Sequence, residues 1–414
     1  MQGLNIGRRG LICGGLALGA AAAIPAIAAA PAAATTLPLP IGQAERLARL
    51  AKARALMERH GLGAILVEAG ASLDYFTGVQ WWRSERLTAA VIPVSGDPII
   101  VTPFFERPSV EESLGIPAEV RVWQEHEEPL KLVADFLAER GVARLPVGYE
   151  ETVRFFALDK LRSAMPSVRV VSANPVVRGC RMVKTPSELA LMQAATDVTI
   201  AAIRDVHGRL REGMTPGQIG GMLEKSMVER GGSSPWALVL LGEASAYPHG
   251  SGKPQSVKRG EVVLIDTGCA VHGYQSDVSR SFVFGADPTA EQRRVWEQVA
   301  QGQKIAFAAA RPGATAGSVD DAVRAAYTRW GYGPGYKLPG LSHRTGHGIG
   351  MEGHEPVNLV HGETTRLAPG MCFSNEPGIY LPGKFGIRLE DCFHMTLAGP
   401  RYFSTPPASI DAPV

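Results

Sequence analysis

The chain has 414 residues, of which 45% are apolar and 20% charged, and its formal net charge is +2. That length exceeds one ordinary domain and that composition fills substantial cores, so two domains are expected. No basic run is longer than a pair, which argues against nucleic acid or an anionic surface as partner and points to a small substrate. At the N-terminus, Arg8 and Arg9 precede an Ala- and Gly-rich apolar run that closes on an Ala-x-Ala site at Ala34. The pattern is an export signal of the twin-arginine type; the alternative is an uncleaved anchor, which the Gly, Ala and Pro25 content disfavours. Residues 1–34 are therefore expected to be a signal peptide. The mature protein would be periplasmic or exported, with no stable membrane association after cleavage. After a Pro-rich lead-in, Leu47, Leu50, Ala51 and Met57, followed by Gly61, predict an amphipathic helix over 42–60. Apolar and β-branched runs predict strands at 64–67, 88–94, 98–101, 120–123, 147–149 and 168–171, with helices near 108–114, 128–140 and 153–164. Residues 41–174 thus read as an α/β domain without a chemical motif of its own. Trp81 and Trp82 read as core or dimer contacts.

Asn174, Pro175 and residues 178–184 read as a connection. Thr185, Pro186 and Glu188 then supply an N-cap, a first-turn proline and the reciprocal acid of a capping box. A second domain over 185–400 opens there, with further helix starts at Thr215, Thr289 and Ser318, and these helices would cover the outer face of a curved antiparallel sheet. Within it, an apolar run from Gly260 ends on Asp266, turns near His272 and Gly273, and returns through Asp277. Two antiparallel strands would bring these carboxylates to one point. Gly260, Asp266 and Gly268 recur in spacing as Gly370, Glu376 and Gly378, with Glu390 on the segment that follows; Arg211, Gly213, Thr215 and Gly217 recur as Arg311, Gly313, Thr315 and Gly317. The repetition predicts two helix-helix-hairpin units about a pseudo-twofold axis, with four carboxylates on that axis. Four such acids repel one another unless they are protonated or hold cations. His347 stands between the hairpins on the Gly-rich loop 345–350, and two Asp, two Glu and one His suit two divalent ions about 3.5–4 Å apart.

The motifs at 264–268, 276–277, 345–350, 354–356, 375–378 and 386–391, in that order, resemble those of the pita-bread metallopeptidases, the family of methionine aminopeptidase, Xaa-Pro aminopeptidase, prolidase and creatinase. The resemblance spans about residues 45–400 and is closest to the Xaa-Pro peptidases. It implies a creatinase-like α/β domain followed by a catalytic pita-bread domain, α/β (α+β) in class. It further implies Asp266 as terminal ligand of one metal, Asp277 and Glu390 as bridging carboxylates, and His347 with Glu376 as ligands of the other. Manganese is the first expectation for the two divalent ions, with cobalt, zinc or iron as alternatives, and a homodimer is expected.

His249 and His354 match histidines that line the substrate site of the Xaa-Pro members, so they share the catalytic expectation with Glu376. His343 lies four residues before His347, the spacing of a helical zinc pair. Glycines at 346, 348 and 350 argue against a helix there, which makes His343 a pocket wall that contacts substrate. Arg388 is either a salt-bridge partner of the ligand acids or a substrate anchor. Of the five cysteines, Cys180, Cys269, Cys372 and Cys392 lie beyond the signal, and no bridge is assigned. The function implied is a metal-dependent exopeptidase that cleaves an Xaa-Pro bond at the N-terminus of small peptides or dipeptides through a metal-bridged hydroxide, the smaller domain closing over the substrate. The alternatives are a C–N hydrolase or lyase of the same fold acting on a small non-peptide, and a binding module, against which the full ligand set counts.

Overall fold

Short aliphatic runs build the first sheet in the computed structural model, which describes residues 37–414. The twin-arginine pattern and the Ala34 site lie outside the described residues. Helix α1 (Gln43–His60) stops at Gly61, whose φ of 67° is the left-handed cap that glycine takes without strain. There follow β1 (Ala64–Glu68), α2 (Ala71–Thr77), β2 (Ala89–Pro93), β3 (Ile99–Pro103), α3 (Arg107–Ser113), β4 (Glu119–Trp123), α4 (Pro129–Glu139), β5 (Val147–Tyr149), α5 (Phe155–Ala164), β6 (Val170–Ser172) and α6 (Asn174–Arg181). The strands form one mixed sheet in the order β4-β3-β2-β1-β5-β6. Every residue of β1, β2 and β3 is buried because helices cover both faces. Leu50, Met57, Phe76 and Val176 pack on one face, and Val133, Phe136 and Leu161 on the other.

All six expected strands are present. Two helices were not expected: α2, seven residues long, and α6, where Pro175 in the first turn starts a helix in what reads as a connection. Trp81 packs partly on the core, but Trp82 is 85% exposed and so is not a core residue of this chain.

The second half holds α7 (Pro186–His207), α8 (Pro216–Glu229), β7 (Ser233–Leu241), β8 (Val262–Val271), β9 (Tyr274–Gln275), β10 (Val278–Val283), α9 (Ala290–Ala309), α10 (Ala316–Arg329), β11 (Gly346–Gly348), β12 (Glu355–Leu359), β13 (Cys372–Phe373), β14 (Gly378–Leu381), β15 (Phe385–Arg388), β16 (Phe393–Thr396) and β17 (Gly399–Tyr402). Thr185 with Glu188, Thr215 with Gln218, and Thr289 with Gln292 close complete capping boxes on α7, α8 and α9. The expected start at Ser318 is corrected. Helix α10 begins at Ala316 after Thr315, whose side chain makes no cap bond, and the Ser318 hydroxyl donates to the Thr315 carbonyl at 2.6 Å.

The internal repeat is visible in the hydrogen bonds. Helices α8 and α10 each have 14 residues. Ahead of them, Gly213 N–H donates to Val257 O at 2.8 Å and Gly313 N–H to Leu367 O at 2.8 Å. In the first unit β8 and β10 form one antiparallel ladder. In the second, the ladder is split into β13–β16 and β14–β15, and between them Asn375 and Asp391 exchange backbone bonds of 3.2 and 3.4 Å. The two hairpins meet where Ser279 and Glu390 exchange backbone bonds of 3.3 and 3.1 Å. A buried hydrogen bond and an ion pair fasten the first sheet's helices to this half: Arg49 Nη2 donates to Tyr274 Oη at 2.9 Å and lies 3.3 Å from Glu188. The four cysteines are buried and free.

Candidate metal centre

Each acid of interest stands where a strand is interrupted or alternates toward the inside. Asp266 is the half-buried position of the otherwise buried β8, and Asp277 precedes β10. Glu376 sits in the gap between β13 and β14, Glu390 in the gap between β15 and β16, and His347 at the centre of β11. Glycines permit the close approach. A Cβ at Gly268 would stand 2.0 Å from Ser276 O, and one at Gly346 would stand 2.1 Å from Ser374 O.

Asp266, Asp277, His347, Glu376 and Glu390 line a cavity of about 760 Å³ together with His249, His343, His354 and Arg388. All nine residues singled out from the sequence therefore face one space. Trp236, Leu238, Gln275 and Arg344 are also among its walls. One ligand atom from each of Asp277, His347 and Glu390 falls within a 4.8 Å set. His347 Nε2 lies 3.3 Å from Glu376 Oε1 and 3.7 Å from Asp277 Oδ2. Its Nδ1 is 3.0 Å from Gly348 O; donating there leaves Nε2 as a bare lone pair aimed at the acids. Burial keeps this imidazole well below its ordinary pKa, and hence neutral.

Three carboxyls are shifted the other way. Burial, then Asp266 and Glu376, pushes Asp277 well up, and burial, then Asp277, does the same to Glu390. Glu376 is raised to about 7 by burial and by Asp266, against the pull of Arg388. Asp277 Oδ1 and Glu390 Oε1 are buried without a hydrogen-bond partner among the described residues. Unpartnered oxygens, crowded acids and a lone pair pointing at them fit divalent cations, which relieve the repulsion and accept O and N donors.

Arg388 is tied into the centre by four contacts. Nη2 pairs with Asp266 Oδ2 at 2.6 Å, Nε donates to Ser279 Oγ at 3.0 Å, and Nη1 reaches Pro248 O at 3.1 Å and Tyr380 Oη at 3.2 Å. His343 lies outside any helix, with Nε2 2.7 Å from Tyr380 Oη, and burial lowers its pKa to about 3. His354 sets its ring edge-on to His347, centroids 4.2 Å apart. Two participants were not foreseen. The Ser279 hydroxyl lies between Asp266 Oδ1 at 2.9 Å and Glu390 Oε2 at 2.8 Å, and Tyr380 links His343 to Arg388. Strand alternation from Asp277 would have put Ser279 on the same face; Tyr380 carries no signal in the sequence.

A buried set of two aspartates, two glutamates and a histidine around a substrate-sized cavity defines a divalent-metal hydrolase site. Residues 190–397 match the profile of metallopeptidase family M24, and residues 49–183 that of the creatinase/prolidase N-terminal domain. The chain is 33% identical over 359 residues to the probable dipeptidase PepE of Mycobacterium tuberculosis, covering 85% of this chain and 92% of that one. It is 32% identical over 340 residues to an Xaa-Pro dipeptidase of Lactobacillus helveticus, covering 80% and 90%. The crystal structure of dipeptidase PepE from Mycobacterium ulcerans superposes with a TM-score of 0.79 at 33% identity, over 90% of this chain and 98% of that one. The chain belongs to metallopeptidase family M24, in the branch that holds the Xaa-Pro dipeptidases and prolidases, and is a metal-dependent hydrolase.

Proposed function

We propose that the protein is a metal-dependent exopeptidase that hydrolyses an Xaa-Pro bond at the N-terminus of dipeptides and other small peptides. The observation that carries the reading is the convergence of five ligand-type side chains and three further histidines on one cavity. The names of the relatives support peptides as the substrate class. Two divalent ions bound by Asp266, Asp277, His347, Glu376 and Glu390 would supply Lewis-acid polarisation and a water of lowered pKa. The remaining work falls to the chain. Glu376, or a histidine beside it, takes a proton from the attacking water and returns it. His354 faces the scissile group and steadies the developing charge or protonates the leaving nitrogen. Arg388 and Ser279 hold Asp266 in place, and Trp236 and Leu238 give an apolar wall that limits water. The test is turnover of Ala-Pro, Ala-Pro-Pro and Ala-Ala beside non-peptide amides after loading with manganese, cobalt, zinc or iron. Cleavage of the Pro peptides with Ala-Ala left intact is expected. Turnover confined to non-peptides would replace this reading with a C–N hydrolase.

We infer further that manganese fills the site, that the chain forms a homodimer, and that residues 1–34 direct export ahead of domains at 41–174 and 185–400. Elemental analysis and sedimentation test the first two. For the third, the order of Arg8, Arg9 and an Ala-rich run is the support; among the described residues no helix is long and apolar enough to cross a membrane. Replacing Arg8 and Arg9 with Lys should strand the precursor inside the cell. An intact N-terminus on exported protein would favour the anchor instead.

A further inference from the structure

Glu355 follows His354 directly and is fully buried, yet it faces away from the metal cavity. Its Oε1 accepts from Arg181 Nη2 at 2.5 Å and from the N–H groups of Met351 at 2.9 Å and Glu352 at 3.2 Å. Its Oε2 accepts from Lys184 Nζ at 3.0 Å. Arg181 ends α6 of the first sheet's layer, and Lys184 lies in the connection to α7, so one carboxylate ties the loop 349–355 to both. The Gly-rich motif is shaped around it. A Cβ on Gly350 would stand 2.7 and 2.8 Å from the Glu355 oxygens, and one on Gly348 would stand 2.6 Å from Glu355 O. His354 itself has no side-chain hydrogen bond among the described residues, so its place is set by its backbone and by the edge-on contact with His347.

We propose that Glu355 is a positioning residue: the clamp it forms with Arg181 and Lys184 sets the imidazole of His354 over His347 and makes the attachment of the N-terminal domain part of the reactive geometry. This rests on the role given to His354 in the peptidase reading. A buried carboxylate with four donors is stiff, whereas a bare loop carrying His354 would sample several ring positions. Displacement of a reacting group by about 1 Å costs up to about 10²-fold in rate.

The test is a double-mutant cycle with Glu355→Gln and His354→Ala, on whichever substrate the wild type turns over. Glu355→Gln should lower kcat about 10-fold or more with KM and metal content unchanged. In the His354→Ala background it should cost nothing further, because the group it positions is gone. Independent, multiplying losses would overturn the proposal. Should Glu355→Gln fail to fold, Lys184→Met opens the same clamp while leaving Glu355 paired to Arg181. A crystal structure of the variant gives a readout that needs no substrate: the His354 ring should leave its 4.2 Å contact with His347. An unmoved ring overturns the proposal whatever the substrate proves to be, whereas absence of Xaa-Pro turnover in the wild type would overturn only the peptidase specificity.

Discussion

Asp277 and His354 both face the metal cavity, but they differ in what their removal would leave behind. Asp277 is buried with one oxygen unpartnered among the described residues and its fellow acids close by, so a bound cation would make its charge tolerable. Asp277→Ala should therefore abolish metal binding and activity together, read by elemental analysis and turnover on the same sample. His354 packs edge-on against the ligand His347 and is solvent-exposed at the cavity. His354→Ala should keep the metal and the fold while lowering kcat by about 10²-fold or more, the range of lost acid-base assistance. A raised KM with unchanged kcat would make His354 a substrate-binding group. Loss of metal would move it into the ligand set.

At the scale of elements, the β8–β10 hairpin decides whether the acids meet at all. Gly268 lies against Ser276 O, where a Cβ would stand at 2.0 Å, so Gly268→Ala should push the Asp277 segment outward. The expected outcome is a lowered melting temperature and weakened metal binding. Gly221, on the exposed face of α8 with nothing within 4 Å of a Cβ, is the control: Gly221→Ala should stabilise by about 0.5–1 kcal/mol in thermal unfolding. The hairpin was legible because Val262 to Ile265 is a β-branched, apolar run that ends on an acid before a glycine, and β8 does carry that run. The four acids were legible because their motif repeats, His347 because it stands on a Gly-rich loop between the repeats, and His249 and His354 through the resemblance to the Xaa-Pro peptidases. What stayed hidden lacked a local signal. Helix α2 has no side-chain cap and only seven residues, and α6 contains Pro175 and Gly179, which read as breakers although Pro at the first turn is compatible with a helix. Arg181, Lys184 and Glu355 meet only through the tertiary fold, Lys184 and Glu355 being separated by 171 in sequence, and no periodicity announces such a contact.

For the whole molecule, the buried acids make stability, pH and metal one linked quantity. The Glu376 carboxyl moves from an ordinary 4.5 to about 7 in the folded chain, chiefly through burial, and Asp277 and Glu390 move in the same direction. Between those two values the metal-free folded protein holds a proton at Glu376 that the unfolded chain has released, so its stability falls as pH rises through the window. Divalent ions bind the deprotonated acids, so the stabilisation they add must grow over the same window. Glu355 pulls oppositely: Lys184 and Arg181 outweigh its burial and hold it at about 2, so its contribution is complete above its ordinary 4.5 and is lost only as pH falls toward 2. It therefore leaves the upper window undisturbed. Calorimetry with chelator and with manganese, from about pH 5 to about pH 8, should give a melting-temperature difference that widens with pH. A constant difference would mean that the acids are already ionised in the metal-free fold, and that Arg388 neutralises more of the centre than its single ion pair with Asp266 accounts for.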